Sequence, residues 1–272
     1  MRPHRFTFSL AITGISRVLI ARDRLLGRIP AAPIMDAASF TTTRHWIESG
    51  NTRLDSVFAA PIAPSQQFAV RKPVVLICHG IGEVVEHWAA AQQLLAAHWV
   101  ASLVFDYSGY GRSRGRIDAE QCEQDAIAAF HYLQTLAPGS PVIVLGLSLG
   151  TGVAAAIVRR VPAAGLVLCA GFPSFRKAAH SVGVPAFLSP LVPPLWEAQK
   201  SLRGCSLPVL VIHGKKDRLF PPRMASELAA CCGPQAELML VPEISHADPY
   251  YRPSLPFWGP ILAWMSAGNI RV

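Results

Sequence analysis

The sequence predicts an α/β fold in which a doubly covered, mostly parallel sheet of eight strands carries a short lid insertion. Three observations predict it. The 272 residues are 51% hydrophobic and 15% charged, which is enough apolar surface for a large buried core. Short apolar runs alternate with helix-like segments over most of the chain, as in consecutive βα units. These runs are continuous, which indicates strands that helices cover on both faces.

The predicted strands begin with an antiparallel pair that turns at Ser49-Gly50-Asn51, where turn-forming residues separate two strand-like runs. Six apolar runs follow along the chain, each short enough for a buried strand. The eight predicted strands are Arg44–Glu48, Arg53–Ala60, Val74–His79, Ser102–Asp106, Val142–Leu145, Gly165–Ala170, Val209–His213 and Glu237–Val241.

Helices are predicted between these strands, so that helix and strand alternate. The predicted helices are Val84–His98, Glu120–Thr135, the alanine-rich Thr151–Arg160, Arg223–Cys231 and the closing Leu255–Ser266.

The interval Phe172–Arg203 breaks this rhythm, because its five prolines are too many for one continuous helix. It follows the carboxyl end of a strand, which is where ligands bind in open α/β sheets. A small lid over an active site and an ordinary crossover of broken helices are both consistent with it. The apolar residues expected to line an acyl pocket are Phe172, Phe175, Val182, Val184, Phe187, Leu188, Leu191, Val192, Leu195 and Trp196.

The first 40 residues are expected to form a separate segment in front of one domain, residues 41–272. Six arginines and one aspartate lie in its first 28 residues, so most of the net charge of +8 is there. The apolar run Phe6–Ile15 stops before Arg17, short of the roughly 20 residues that span a bilayer. Three interpretations of this segment stay open: a helix packed on the domain, a helix on a membrane surface, and a signal sequence. We expect a cytoplasmic protein or one that is peripheral at a membrane.

Composition disfavours two classes of site. The body of the chain has no basic stripe with interleaved aromatic residues, so we expect no nucleic-acid partner. The cysteines show no Cys-x-x-Cys or Cys/His spacing, so we expect thiols in a reducing compartment and no metal. These cysteines are Cys78, Cys122, Cys169, Cys205, Cys231 and Cys232.

The pentapeptide Gly146–Gly150 predicts a nucleophile elbow, because Gly-x-Ser-x-Gly follows a predicted strand and opens a predicted helix. In such a turn the serine is held in a strained backbone conformation. A side chain at either glycine would collide with a neighbouring strand or helix. Ser148 is therefore the candidate nucleophile.

A serine needs a base within hydrogen-bonding reach and a third group that orients the base. His246 follows the last predicted strand and is the candidate base. Asp217 follows the strand that ends at His213 and is the candidate acid. The chain order Ser148, Asp217, His246 is the order of α/β hydrolases.

Four other residues are rivals for the same roles. His213 is the nearest rival base, and its place at a strand end favours a structural hydrogen bond. The rival acids are Asp106, which precedes the serine, and Asp248 and Glu243, which lie near His246.

A tetrahedral intermediate also needs two backbone N–H donors directed at its oxyanion. Leu149, directly after the serine, is one candidate. Ile81, in the glycine-flanked turn His79–Gly82, is the other.

Together these motifs resemble the α/β-hydrolase superfamily, in particular its small-lid acyl-ester and lipid hydrolases of serine-aminopeptidase-like type. The matching segments are His79–Gly82, Phe105–Ser113, Gly146–Gly150, Val211–Asp217 and Ile244–Asp248. The resemblance covers roughly residues 44–264 and implies no metal or organic cofactor. It implies nucleophile, acid and base roles for Ser148, Asp217 and His246, and oxyanion donors at Ile81 and Leu149.

The leading hypothesis from the sequence is a serine hydrolase that cleaves a small-molecule acyl ester through an acyl-enzyme intermediate. A thioesterase or depalmitoylase is the alternative within catalysis, favoured by the basic, apolar amino terminus. A non-catalytic binding module is the alternative from another class, because fold does not guarantee chemistry.

Overall fold

The structure is a computed structural model that describes residues 40–62, 72–267 and 270. The predicted amino-terminal segment, residues 1–40, lies outside the described residues except for Phe40. Among the described residues, no helix combines the length and the apolar character needed to cross a bilayer.

Eight strands form one sheet in the described part of the chain, in the spatial order β1-β2-β4-β3-β5-β6-β7-β8. The first two pairs in this order, β1 with β2 and β2 with β4, are antiparallel, and every later pair is parallel. The strands are β1 Phe40–Ser49, β2 Thr52–Pro61, β3 Val74–Cys78, β4 Ala101–Phe105, β5 Val142–Leu147, β6 Gly165–Cys169, β7 Val209–Gly214 and β8 Ala236–Val241. The predicted eight-stranded, mostly parallel sheet is confirmed.

One strand is longer than its sequence signal indicated. β1 begins at Phe40 rather than Arg44, and its extra residues pair with the end of β2, Phe40 opposite Pro61. The added stretch is rich in exposed threonine, so it carries β-branching but no apolar run. Pairing with β2 is what makes it a strand.

Helices lie between the strands, as predicted, with shifted ends. The described α-helices are α1 Ala89–Ala97, α2 Ala119–Leu136, α3 Leu149–Ile157, α4 Phe175–Ser181, α5 Ala198–Ser201, α6 Pro222–Cys232, α7 Asp248–Tyr251 and α8 Leu255–Ser266. The predicted helix Val84–His98 is a 3₁₀ turn, Val85–Trp88, continued by α1. The predicted helix from Thr151 begins two residues earlier, and α7 was not predicted.

The core consists of two apolar layers, one on each face of the sheet. Strand residues alternate between them: Leu76 packs on the face of α2 and α3, and its neighbour Ile77 packs on the face of α1 and α8. All residues of β3, β5, β6 and β7 are buried. The two layers explain the continuous apolar runs, since both faces of each central strand must be apolar.

Residues 172–203 form no single helix, as their prolines predicted. They contain α4, a 3₁₀ helix over Ala186–Leu191, and α5. The segment returns to the body at Trp196, which packs edge-on against Phe175 and donates from Nε1 to Glu123 at 3.2 Å.

Candidate active site

Ser148 lies in the tight turn between β5 and α3. Its backbone has φ +52° and ψ −119°, a region that side-chain-bearing residues rarely adopt. The Ser148 N–H donates to the Cys169 carbonyl at the end of β6, at 3.0 Å. Its carbonyl accepts from the Thr151 amide and hydroxyl at 3.0 and 2.6 Å. These bonds hold the strained residue and leave its hydroxyl above the sheet edge.

The two flanking glycines are required by close backbone contacts. A Cβ at Gly150 would lie 1.9 Å from the Cys78 carbonyl oxygen, at the end of β3. A Cβ at Gly146 would lie 2.4 Å from the Gly150 carbonyl oxygen. Both distances are far below van der Waals contact, so the predicted collision with a strand and a helix is present at both positions.

The structure brings Ser148, His246 and Asp217 into one hydrogen-bonded chain. His246 Nε2 lies 2.9 Å from Ser148 Oγ, and His246 Nδ1 lies 2.7 Å from Asp217 Oδ2. Asp217 follows β7 and His246 follows β8, so both come from the carboxyl edge that carries the serine. An aspartate on one ring nitrogen leaves the other free to accept the serine proton.

Asp217 is a buried carboxylate whose surroundings favour its charged form. Oδ1 accepts from the Leu219 and Phe220 amides at 2.8 and 2.9 Å. Burial alone would raise the pKa of Asp217, but the charge of His246 and hydrogen bonds from His213, His246 and Phe220 hold that pKa well below its usual range. Asp217 is therefore ionised at neutral pH.

The rival base, His213, lies close to Asp217 and has a structural role. His213 is fully buried, and its Nε2 donates to the Phe220 carbonyl at 2.9 Å. The same nitrogen is 3.3 Å from Asp217 Oδ2, so the ring supports the turn that carries the acid. This is the strand-end hydrogen bond that the sequence favoured for it.

The rival acids contact other groups. Asp106 Oδ1 accepts from the Val85 amide at 2.9 Å and lies 3.5 Å from His79 Nε2. Asp248 accepts from the Ser245 amide at 2.7 Å and so shapes the loop in front of His246. Glu243 is exposed and pairs with Lys216.

The two candidate oxyanion donors, Leu149 and Ile81, lie near Ser148. Leu149 is the first residue of α3, so its N–H has no acceptor within the helix. Ile81 lies in the loop after β3, and both residues line the same cavity as Ser148. The preceding residue, Gly80, is so close that a Cβ there would lie 3.1 Å from Ser148 Cβ.

Sequence reasoning missed Glu83, which ties this loop down. It is only 4% exposed, and its Oε2 accepts from the Gly80 amide at 3.0 Å and from Trp88 Nε1 at 2.9 Å. Burial raises the pKa of Glu83 despite the opposing influence of His79 and these two donors. An acid placed directly after His-Gly-x-Gly, between a buried strand and a helix, is the signal that could have found it.

A narrow apolar cavity of about 20 Å³, roughly the room of one water molecule, opens beside Ser148. Its walls come mainly from residues 172–182 and from the turn after Asp217. They are Ile81, Leu149, Phe172, Phe175, Ala178, Ala179, Val182, Leu219 and Phe220. Phe172, Phe175 and Val182 thus lie where the sequence placed them. The other seven predicted pocket residues do not line the cavity, and two of them, Phe187 and Leu191, are 79% and 68% exposed.

Comparisons with known proteins fit this arrangement. A family model described as serine aminopeptidase, S33, matches residues 69–200. An uncharacterized protein of Mycobacterium tuberculosis is 31% identical over 183 residues, or 65% of this chain and 64% of that protein. The lysophosphatidylserine lipase ABHD12 of Xenopus tropicalis is 26% identical over 186 residues, or 61% of this chain and 48% of that protein. The matches thus span under two thirds of the first relative and about half of the second.

A solved structure extends the likeness to most of the chain. The crystal structure of an alpha-beta hydrolase from Vibrio vulnificus aligns with a TM-score of 0.68 at 20% identity, covering 92% of this chain and 86% of that one. The predicted α/β-hydrolase fold is confirmed.

The contact at Gly150 generates a stability prediction. Gly150→Ala should lower the free energy of unfolding by about 3 kcal/mol or more, because the backbone carbonyl groups of Cys78 and His79 leave no room for the methyl group. Urea unfolding measures it. Gly259→Ala, in α8 with nothing within 4 Å of the added carbon, is the control and should be neutral or up to about 1 kcal/mol more stable. Equal stability of the two variants would contradict the contact.

Proposed function

We propose that this chain, which is similar to α/β hydrolases in sequence and in fold, is a serine hydrolase that cleaves carboxylic acyl esters through an acyl-enzyme intermediate. The observation that carries the proposal is the continuous hydrogen-bonded path from Asp217 through His246 to Ser148 at the strained turn. A purely structural polar cluster has no need of a serine in a strained, rarely adopted backbone conformation.

In the proposed mechanism, Ser148 Oγ attacks the acyl carbonyl carbon while His246 Nε2 takes the hydroxyl proton. Asp217 stabilises the imidazolium through Nδ1–H. The carbonyl oxygen becomes an oxyanion that accepts hydrogen bonds from the Ile81 and Leu149 amides. The intermediate collapses, and His246 returns the proton to the departing alcohol. A water molecule then repeats the sequence and releases the acid.

The cavity favours an acyl group over an amino-terminal residue. None of the residues that line it carries a carboxylate, and a peptidase would need one to hold a substrate ammonium group. The relative named a lysophosphatidylserine lipase favours a lipid acyl ester among esters. A thioester would use the same groups, so thioesterase activity is the second candidate.

Loss of the nucleophile tests the assignment. Ser148→Ala should reduce hydrolysis of an activated ester by about 10⁴-fold or more, because the remaining groups supply no covalent path. Labelling by a fluorophosphonate probe should disappear with it. Ser245→Ala, a serine beside His246, is the matched control and should keep both. Labelling that persists in a folded Ser148→Ala protein would overturn the proposal, and absence of labelling in the wild type would favour a binding module.

The acid and base should act as one unit. Asp217→Asn combined with His246→Ala should lose little more activity than His246→Ala alone, since the aspartate works only through the imidazole. The comparison is a double-mutant cycle in kcat/KM. Asp248→Asn is the control, because Asp248 contacts the Ser245 amide instead. Its small loss of kcat/KM should add to the loss caused by His246→Ala. Additive losses for Asp217 would show that it does not orient the base.

Substrate length should follow the cavity walls. Each buried methylene contributes about 0.8 kcal/mol until the cavity is full, and this cavity is narrow, so kcat/KM should peak at short acyl chains, roughly two to four carbons. Val182→Ala should move the peak to longer chains, because Val182 lines the cavity. Val184→Ala is the matched control and should not. A p-nitrophenyl ester series measures this, and a wild-type maximum at palmitate would favour the depalmitoylase alternative.

A further inference from the structure

The 3₁₀ helix over residues 186–191, here called the ridge, exposes apolar side chains to an unusual degree. None of its residues is buried, although all but Ser189 are apolar. Phe187 and Leu191 are 79% and 68% exposed, more than any other large hydrophobic side chain in the described part of the chain. Single exposed apolar residues are ordinary, but two on one short turn form a patch.

Hydrogen bonds hold the ridge in this shape. His180, in α4, donates from Nδ1 to the Val184 carbonyl at 2.8 Å, and its Nε2 lies 3.2 Å from Ser189 Oγ. Arg176 donates to the Val192 carbonyl at 3.0 Å. Both ends of the ridge are therefore tied to α4, and the exposed side chains belong to a preformed surface.

The ridge is continuous with the cavity that holds Ser148. The preceding helix and its end supply Phe175, Ala178, Ala179 and Val182 to the cavity wall. Residues 178–196 contain no Lys, Arg, Asp or Glu. One uncharged segment thus lines the cavity on its inner side and meets solvent on its outer side.

Positive charge borders this segment. Residues 172–203 and 214–223 together carry eight Lys or Arg, and their two acids are Glu197 and the buried Asp217. Three of the eight cations, Lys177, Lys200 and Lys216, pair with Glu227, Glu197 and Glu243, and the other five form no ion pair with these acids. Ser181 Oγ donates to the Leu219 carbonyl at 2.5 Å, so the two stretches are in contact. Lys215, Arg218 and Arg223 are exposed beside that contact. These cations attract an anionic surface, and they would repel the same cations on a second copy of this chain.

We propose that this face docks on an anionic lipid surface, with Phe187 and Leu191 entering the acyl layer and the bordering cations meeting the headgroups. A preformed apolar turn flanked by basic residues is the pattern of peripheral lipid-binding surfaces. Docking would direct the mouth of the cavity towards the lipid. Binding to lipid does not require turnover, so a vesicle-binding experiment tests this proposal separately from the esterase proposal.

Vesicle co-sedimentation of the full chain tests the docking. The wild type should bind vesicles of phosphatidylcholine with phosphatidylglycerol more tightly than vesicles of phosphatidylcholine alone. Binding to the anionic vesicles should weaken in about 1 M salt, where screening is nearly complete. Phe187→Ser with Leu191→Ser should reduce the partition coefficient at least about tenfold, because two apolar anchors are lost. Phe187→Leu should retain binding, since it keeps the anchor apolar.

Matched variants make the result specific. Leu255→Ser with Leu238→Ser removes two other exposed leucines, on α8 and β8, and should leave binding unchanged. The ridge variant should keep its unfolding temperature and its kcat/KM on a short water-soluble ester, because neither ridge residue lines the cavity. Wild-type protein that ignores anionic vesicles, or equal losses in both double variants, would overturn the proposal. Concentration-dependent dimers that only the ridge variant abolishes would assign the ridge to a second copy instead.

Discussion

The close approach of the first turn of α3 to the end of β3 is the contact on which the site depends. Gly150 lies against the Cys78 carbonyl with no room for a side chain. Because the helix must begin this close to the strand, the turn before it is short and Ser148 takes a positive φ. The same contact fixes the turn that carries Ser148 and Leu149. The loops of Ile81, Asp217 and His246 lie around this fixed turn.

Charge in the site is buried and matched by fixed donors. Asp217 has two backbone amides and two imidazoles around its carboxylate, which together outweigh the cost of its burial. Glu83 has fewer hydrogen-bond donors around its carboxylate, so the effect of burial is the larger one and its pKa is raised. Both acids fix loops rather than face the cavity, whose walls are apolar. Polar groups therefore position Ser148 and His246, and apolar groups line the cavity beside them.

Sequence patterns predicted the parts of the molecule that follow local rules. The central strands were located to within a few residues because both of their faces are buried, which requires unbroken apolar runs. Where local signals were weak, the structure differed. β1 gained four residues by pairing with β2, and the helix after Glu83 began as a 3₁₀ turn. Phe187 and Leu191 have the composition of pocket residues, yet the bonds of His180 hold them on the outer side.

The sequence by itself determined the order of elements, the glycine-flanked serine and its loop candidates, because each depends on residues adjacent along the chain. The sequence also favoured His246 over His213 and Asp217 over Asp106, but only the tertiary structure brought His246 against Ser148 and Asp217 against His246. It also placed Glu83 under the loop of Ile81. The contacts among Ser148, Asp217 and His246 depend on strand order in the sheet, where β5, β6, β7 and β8 are successive neighbours. Strand order is set by long-range packing, which local patterns do not encode.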